Sequence, residues 1–177
     1  MEKMKLLWLD LETTGLDPRA CEVLEVAVMQ ADLATPFVVT SLHHSVIKHG
    51  GWGLSSFILD MHTKNGLLAE CAWSDGALNI EEADAALAAL VPQAASREDL
   101  PVLAGSSIHF DHDFIRVHLP EFAKRLSHRH YDVSAVKLFC ESIGMPPLPK
   151  AEAHRAQADV LESIDHARQC AAWVQGN

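Results

Sequence analysis

The sequence predicts an α/β or α+β layered domain, in which helices pack against a sheet. Two observations predict it. Along the chain, three segments with the composition of strands come first, then helical segments, one more short strand and further helices, which is the order of a layered domain. The 177 residues, 49% of them hydrophobic, suit one domain over residues 1–177 with a sizeable core.

Four segments have the composition of strands. Residues 5–11 contain the apolar run Leu6-Leu7-Trp8-Leu9 and are expected to be buried. Residues 22–33 and 37–47 are rich in Val and partly alternating, and residues 101–105 form a short apolar run before a Gly-Ser-Ser turn. A turn at Gly15-Leu16-Asp17-Pro18 is expected between the first two strands.

Five segments are expected to be helical, and one of them places four apolar side chains on a single stripe. Asp132 is expected to begin a helix, because an acid is favoured near the positive end of the helix dipole. The predicted helices are residues 60–73, 80–91, 111–126, 132–143 and 155–174.

Charge and cysteine content restrict the classes of function. A formal net charge of −10 argues against a protein that grips long nucleic acid by neutralising phosphates, but not against a short nucleotide held at bound metals. No apolar stretch approaches the roughly 20 residues that span a bilayer, and no signal peptide is expected. The 4 scattered cysteines indicate free thiols in a reducing cytoplasm.

Two carboxylates, Asp10 and Glu12, lie at the end of the first predicted strand. The two-residue repeat of a strand places them on one face. At roughly 4 Å, two such charges repel by about 4 kcal/mol at an effective dielectric constant near 20. A divalent cation would turn this repulsion into coordination, so we searched the chain for further ligands.

Asp111, His154 and Asp159 lie at the predicted ends of strands and starts of helices. Each has a simpler interpretation alone: a helix cap for Asp111, a solvated helix residue for Asp159 and a surface or packed side chain for His154. Together with the first pair, they offer four carboxylates, enough to balance two Mg²⁺ ions in phosphodiester hydrolysis. A histidine beside such a site can accept the proton of the attacking water.

The motifs Asp10-Leu-Glu12-Thr-Thr-Gly15, Asp111 and His154-x-x-x-x-Asp159 resemble the three exonuclease motifs of the DEDDh 3′→5′ exonucleases. Their spacing fits that family over nearly the whole chain. Two further segments, His62-Thr63-Lys-Asn-Gly66-Leu67 and Asp132-Val133-Ser134, favour the oligoribonuclease branch over the proofreading exonucleases.

This resemblance implies a ribonuclease H-like α/β fold, a mixed five-stranded sheet flanked by helices. It implies two Mg²⁺ or Mn²⁺ ions bound by Asp10, Glu12, Asp111 and Asp159, with His154 as the general base. Members of the family are usually homodimers that cut dinucleotides and very short single-stranded oligonucleotides into 5′-mononucleotides.

The resemblance also implies residues that contact the substrate. Thr14 of the first motif is a candidate substrate-binding residue. Leu16 matches a leucine that wedges between two bases, and Phe57 takes the place of a tryptophan that stacks on a base. His62 and Ser107 match positions that cap the 5′ phosphate. The alternatives are that Leu16 packs within its turn and that Phe57 belongs to the core.

The basic segment with His128 and Arg129 has two interpretations. It is either a small cap that binds the substrate phosphate in the neighbouring subunit, or a solvated helix end. His128 stands where the family carries a tyrosine that reaches across the dimer. Thr13 stands where oligoribonucleases usually carry Met, and the segment before His154 also departs from the pattern. These departures leave the sugar of the substrate, ribose or deoxyribose, open.

Three hypotheses follow from the sequence. The first is a metal-dependent 3′→5′ exonuclease for dinucleotides and short oligonucleotides. The second is a proofreading-type DNA exonuclease that acts on longer strands, which would gain from a positive groove. The third is a nucleotide-binding module without catalysis, which would be expected to lack an acid or the histidine.

Overall fold

The computed structural model describes residues 6–31, 39–91, 93–151 and 153–176. A five-stranded sheet has the order β3-β2-β1-β4-β5, in which β1 pairs antiparallel with β2 and parallel with β4. The mixed five-stranded sheet implied by the resemblance is therefore confirmed. Predicted strand residues 5, 32–33 and 37–38 lie outside the described ranges. The strands are β1 (Leu6–Thr13), β2 (Val23–Ala31), β3 (Val39–Val46), β4 (Val102–Gly105) and β5 (His130–Asp132).

The helices cover both faces of this sheet. None of the described helices is long and apolar enough to cross a membrane. They are α1 (Ser56–Lys64), α2 (Leu67–Trp73), α3 (Ile80–Leu90), α4 (Ile108–His118), α5 (Pro120–Ala123), α6 (Val133–Ser142) and α7 (Ala156–Gly176), with a single 3₁₀ turn at Arg97–Asp99.

Alternation along β1 divides the core into two layers. Leu7, Leu9 and Leu11 pack in one cluster with side chains of α3, α4 and α5. Trp8 is fully buried and packs in a second cluster with Val160 of α7. Asp10 and Glu12 continue the alternation of Trp8, so β1 presents them on the face that α7 covers.

The predicted helix over residues 60–73 is wrong as a single helix. The structure has two helices, α1 and α2, separated at Asn65 and Gly66. Gly66 has φ 83°, a left-handed conformation that glycine adopts without the steric cost of a Cβ atom. The break turns the chain, so α2 packs on β2 and β3 through Leu67 and Cys71.

The predicted helix over residues 111–126 is also divided. It begins earlier, at Ile108, and α4 ends at His118 before the short helix α5 begins at Pro120. Proline has no amide hydrogen and disfavours helical backbone at the preceding residue, so the helix cannot continue through it. Leu119 accordingly has φ −129° and ψ 56°.

Strand β5 was absent from the strands predicted by the sequence. Its three residues pair in parallel with β4 and lead directly into α6. Asp132, its last residue, is the N-cap of α6 and accepts a hydrogen bond from the amide of Ser134, as the predicted helix start requires.

Candidate active site

Three of the predicted acids converge at one place in the fold. Asp10, Glu12 and Asp159 each offer one carboxylate oxygen, and these oxygens lie within 4.8 Å of one another. The first two come from β1, and the third comes from the first turn of α7. Packing of α7 on the sheet therefore assembles residues that are about 150 positions apart in the sequence.

Asp111 approaches the same place from α4. It lies in the first turn of that helix, but Ser107 is the helix cap, so the interpretation of Asp111 as a cap is wrong. Instead, Asp111 Oδ1 accepts a hydrogen bond of 2.9 Å from the amide of Leu11, between the two acids of β1. Its side chain is buried, and its charge raises the pKa of Asp10.

The acids raise one another's pKa values. Burial is the largest cause for Asp10, followed by the charges of Asp111, Glu12 and Asp159, and its pKa lies well above the usual value. Burial and the charge of Asp159 raise the pKa of Glu12 to about 8, and burial raises the pKa of Asp111 to about 8.

These residues fit a divalent cation. Four carboxylates gathered in a half-buried place are costly without a compensating positive charge. Their oxygen atoms are the ligands that Mg²⁺ and Mn²⁺ prefer. A bound cation would favour the ionised form of each acid, which opposes the effect of burial.

His154 lies beside the acids, on the segment that leads into α7. The proximity of its ring acts to lower the pKa of Asp159. Its backbone has φ 47°, a left-handed conformation that is uncommon for a residue other than glycine, and its carbonyl accepts a hydrogen bond of 2.5 Å from Asn65 Nδ2. The structure thus places the predicted general base next to the acid cluster.

His62 faces the acids from within the protein. Its side chain is 0% exposed, and its Nε2 lies 3.5 Å from Glu12 Oε2 without a hydrogen-bond partner among the described residues. Burial is the largest cause that lowers its pKa. A fully buried ring has no surface for a phosphate in this conformation. The contact implied by the resemblance therefore stays a prediction that would require His62 to move.

The predicted base contacts lie on the surface. Leu16 is 83% exposed and Phe57 is 68% exposed, so the alternatives of turn packing and core packing are wrong. Thr14 is tied to the start of β2, because its Oγ1 accepts a 2.9 Å hydrogen bond from the amide of Glu22. Its backbone amide donates to the carbonyl of the same residue, also at 2.9 Å.

Ser107 has a left-handed backbone with φ 52°, and its amide donates to Asp132 Oδ1 and to Ser134 Oγ at 3.1 and 3.0 Å. It is exposed, beside the start of α6. His128 and Arg129 are exposed at the start of β5, on the segment that leads to the same helix. Ser107 and Ser134 thus lie at the end of β5, and His128 and Arg129 lie at its start.

The comparisons with known proteins agree with this geometry. The Exonuclease (RNase T) family model matches residues 7–166 of the 177-residue chain. The chain belongs to this exonuclease family. It is 34% identical over 180 residues to the oligoribonuclease of Corynebacterium diphtheriae, covering 96% of this chain and 83% of the relative. It is 32% identical over 168 residues to the mitochondrial oligoribonuclease of Mus musculus, covering 90% and 69%.

Solved structures of exonucleases share the fold. Escherichia coli exonuclease I, in complex with a dT13 oligonucleotide, superposes with a TM-score of 0.67 at 16% identity. The exonuclease I of Methylocaldum szegediense superposes with a TM-score of 0.69 at 19% identity. The chain covers 41% and 40% of these two proteins, so the likeness concerns this domain only. The ribonuclease H-like fold is confirmed.

Sequence reasoning missed several residues around the exonuclease site. Glu25 lies directly opposite Glu12 in the β1–β2 pair and is 1% exposed. Arg155 contacts it, and Asn65 contacts the segment of His154. The position of Arg155 immediately after His154 was a signal for its role, and Asn65 lies within the motif His62-Thr63-Lys-Asn-Gly66-Leu67. Ser134 belonged to a recognised motif but had been given no role.

Proposed function

We propose that this protein is a metal-dependent 3′→5′ exonuclease that hydrolyses dinucleotides and very short oligonucleotides to 5′-mononucleotides. The observation that carries this proposal is the convergence of Asp10, Glu12 and Asp159 within 4.8 Å, with Asp111 close enough to raise the pKa of Asp10. The membership of the exonuclease family and the likeness to oligoribonucleases support the same reaction.

Each residue then has a defined role. The four acids would hold two divalent cations, Mg²⁺ or Mn²⁺, which supply positive charge for the attacking and leaving oxygens of the phosphodiester. His154 accepts the proton of the attacking water and returns it to solvent or to the leaving oxygen. Burial of the acids excludes water from their far side and fixes the direction of their oxygens.

The substrate contacts extend from this centre. Leu16 and Phe57 present apolar surface to the bases, which stack on such side chains with little dependence on sequence. Ser107, His128 and Arg129 would bind the terminal phosphate, and this cap would limit the substrate to a few nucleotides. The net charge of −10 supports the same limit, because a long strand would be repelled outside the site.

The proposal includes a homodimer, in which His128 of one subunit reaches the substrate of the other. Sedimentation that gives a monomer of about 19 kDa would remove this role. The proposed cytoplasmic location has support from the four cysteines, which are all free thiols.

A panel of 5′-phosphorylated oligonucleotides, two to seven nucleotides long, tests the proposal. RNA and DNA are assayed with Mg²⁺ and with Mn²⁺, and a 20-mer is included. We expect the dinucleotide to be cut fastest. The ratio of the rates on RNA and on DNA shows which sugar the protein prefers. A strong preference for the 20-mer would favour the proofreading-type exonuclease instead. Oligonucleotides that bind and remain uncut would favour the non-catalytic module.

The matched pair Asp159→Ala and Asp165→Ala controls for folding in this assay. Both residues lie on α7, but the side chain of Asp165 is 58% exposed and contacts Arg168 and Gln169 on the same helix. We expect the first variant to lose hydrolysis and the second to retain it.

A further inference from the structure

The segment that carries His154 is tied to the fold on both sides of that residue. Asn65 Nδ2 donates to the His154 carbonyl at 2.5 Å, and the amide of Ala156 donates to Glu25 Oε2 at 2.9 Å. Between these two bonds, His154 has φ 47°. A conformation of this kind persists in a residue other than glycine only where the surroundings hold it.

Arg155 connects this segment to two elements of the fold. Its Nε and Nη2 donate to Glu25 of β2 at 3.2 and 2.9 Å. Its Nη1 and Nη2 donate to the two oxygens of Glu70 on α2 at 2.9 and 3.0 Å. Its Nη1 also donates to the carbonyl of Asn65 at 3.3 Å, in the connection between α1 and α2.

The guanidinium of Arg155 compensates the buried charge of Glu25. Glu25 is 1% exposed and lies directly opposite Glu12. Burial alone would raise the pKa of Glu25, but hydrogen bonds from Arg155, His44 and the Ala156 amide hold it below the usual value. Glu25 is therefore ionised beside the acid cluster, and the guanidinium compensates its charge.

We propose that Arg155 and Asn65 are positioning residues that hold His154 in the place from which it accepts the proton of the attacking water. The inference deepens the proposed function and rests on it. Neither residue needs to touch substrate. Asn65 fixes the carbonyl of His154, and Arg155 fixes the following peptide by binding two carboxylates and a carbonyl at once.

A planar guanidinium is required for this role. Its five N–H donors have a fixed geometry, so one side chain can bind Glu25, Glu70 and a backbone carbonyl together. The ammonium of a lysine has three donors on a flexible stem and cannot reach both carboxylates in the same arrangement. Displacement of a catalytic group by about 1 Å can cost roughly 100-fold in rate.

Chemical rescue tests the role of Arg155. We expect Arg155→Ala to lower kcat on a dinucleotide roughly 10- to 100-fold with little change in KM. Added methylguanidinium should restore much of the lost kcat, because the side chain of Arg155 is 25% exposed and leaves a gap that solvent can reach. Wild type and Lys64→Ala, which removes an exposed side chain at the end of α1, should show no gain from the same additive.

Asn65→Asp tests the second contact without removing the start of α2. The Oδ1 acceptor for the Leu67 amide remains, while the Nδ2 donor is lost, which contacts the His154 carbonyl at 2.5 Å and His62 Nδ1 at 3.4 Å. We expect a fall in kcat of roughly 10-fold with an unchanged melting temperature. Asn79→Asp is the matched control, because it makes the same change at a residue whose Oδ1 also accepts a backbone amide at the start of a helix, that of Glu82 in α3.

Coupling between Arg155 and Glu70 gives a further check. If Glu70 acts through the guanidinium, Glu70→Gln lowers kcat in the wild-type background and has little further effect in Arg155→Ala. Titration calorimetry with Mg²⁺ alone should show that Arg155→Ala does not weaken metal binding, since Arg155 contacts none of the four acids that would bind metal.

The outcomes separate this inference from the proposed function. A wild-type protein that leaves the dinucleotide intact overturns both. With an active wild type, the inference fails if Arg155→Ala and Asn65→Asp keep the wild-type kcat, or if saturating Mg²⁺ repairs their loss completely. If Arg155→Ala does not fold, the kcat of Asn65→Asp is compared with that of Asn79→Asp. Equal kcat values for these two variants would overturn the inference.

Discussion

Replacement of Glu12 by Gln should stabilise the metal-free protein at neutral pH and reduce the dependence of its stability on pH. Glu12 is nearly buried beside other acids, and its pKa is raised from 4.5 to about 8, first by burial and then by the charge of Asp159. Between these two pH values, the folded state keeps a proton that the unfolded state has lost. The free energy of unfolding therefore falls as the pH rises through this window.

The size of the effect follows from the pKa shift. One pKa unit corresponds to 1.36 kcal/mol, so Glu12 alone costs about 3 kcal/mol at pH 7, which is 2.5 units above the value of 4.5. Coulomb repulsion gives a similar figure. The carboxylate oxygens of Asp10, Glu12 and Asp159 lie at most 4.8 Å apart. Two unit charges at that distance repel by about 3 kcal/mol at an effective dielectric constant of 20.

Urea unfolding, followed by tryptophan fluorescence in EDTA at pH 5, 6, 7 and 8, measures this difference. We expect Glu12→Gln to gain about 2 to 3 kcal/mol over wild type between pH 5 and pH 7. Glu121→Gln is the control, because Glu121 is 62% exposed and its ion pair with Lys124 contributes little. Equal pH slopes for wild type and Glu12→Gln would refute the electrostatic account of the acid cluster.

Three further outcomes are expected. His154→Ala should lower kcat by roughly 10²- to 10⁴-fold while calorimetry shows unchanged Mg²⁺ binding; a loss of metal binding would contradict its role as a base. Leu16→Ala and Phe57→Ala should raise KM for a dinucleotide without lowering the melting temperature, because both side chains are exposed; an unchanged KM would remove them from the substrate site. Asp84→Ala should destabilise the protein by about 2 kcal/mol in urea, because Asp84 accepts the amides of Glu121 and Phe122 at the start of α5; a change below 0.5 kcal/mol would show that water replaces it.

The first pair of acids was predictable from its local pattern, whereas Asp111 and Asp159 were indicated by the motifs of the exonuclease family. Asp10 and Glu12 lie two residues apart at the end of an apolar run, and the alternation of a strand places them on one face. The order of strands and helices then indicated a layered domain. Both inferences depend on patterns within about ten residues, and both survive in the structure.

The remaining features depend on contacts between distant parts of the chain. Strand β5 has only three residues, too few for an alternating pattern, and exists because β4 pairs with it. The pairing of Glu25 with Arg155 joins residues 130 positions apart, and nothing near Glu25 in the sequence distinguishes it from a surface acid. The division between α1 and α2 was present in the sequence as Gly66, but the helical pattern on either side outweighed it.

Hydrolysis of a single 5′-phosphorylated dinucleotide in the presence of Mg²⁺ tests the central claim most directly. The wild-type protein and the Asp165→Ala variant should convert it to mononucleotides at equal rates, whereas Asp10→Ala should leave it intact with its fold unchanged. Turnover by Asp10→Ala equal to that of wild type, or a dinucleotide that the wild-type protein leaves uncut, would contradict the assignment of this cluster as a hydrolytic metal centre.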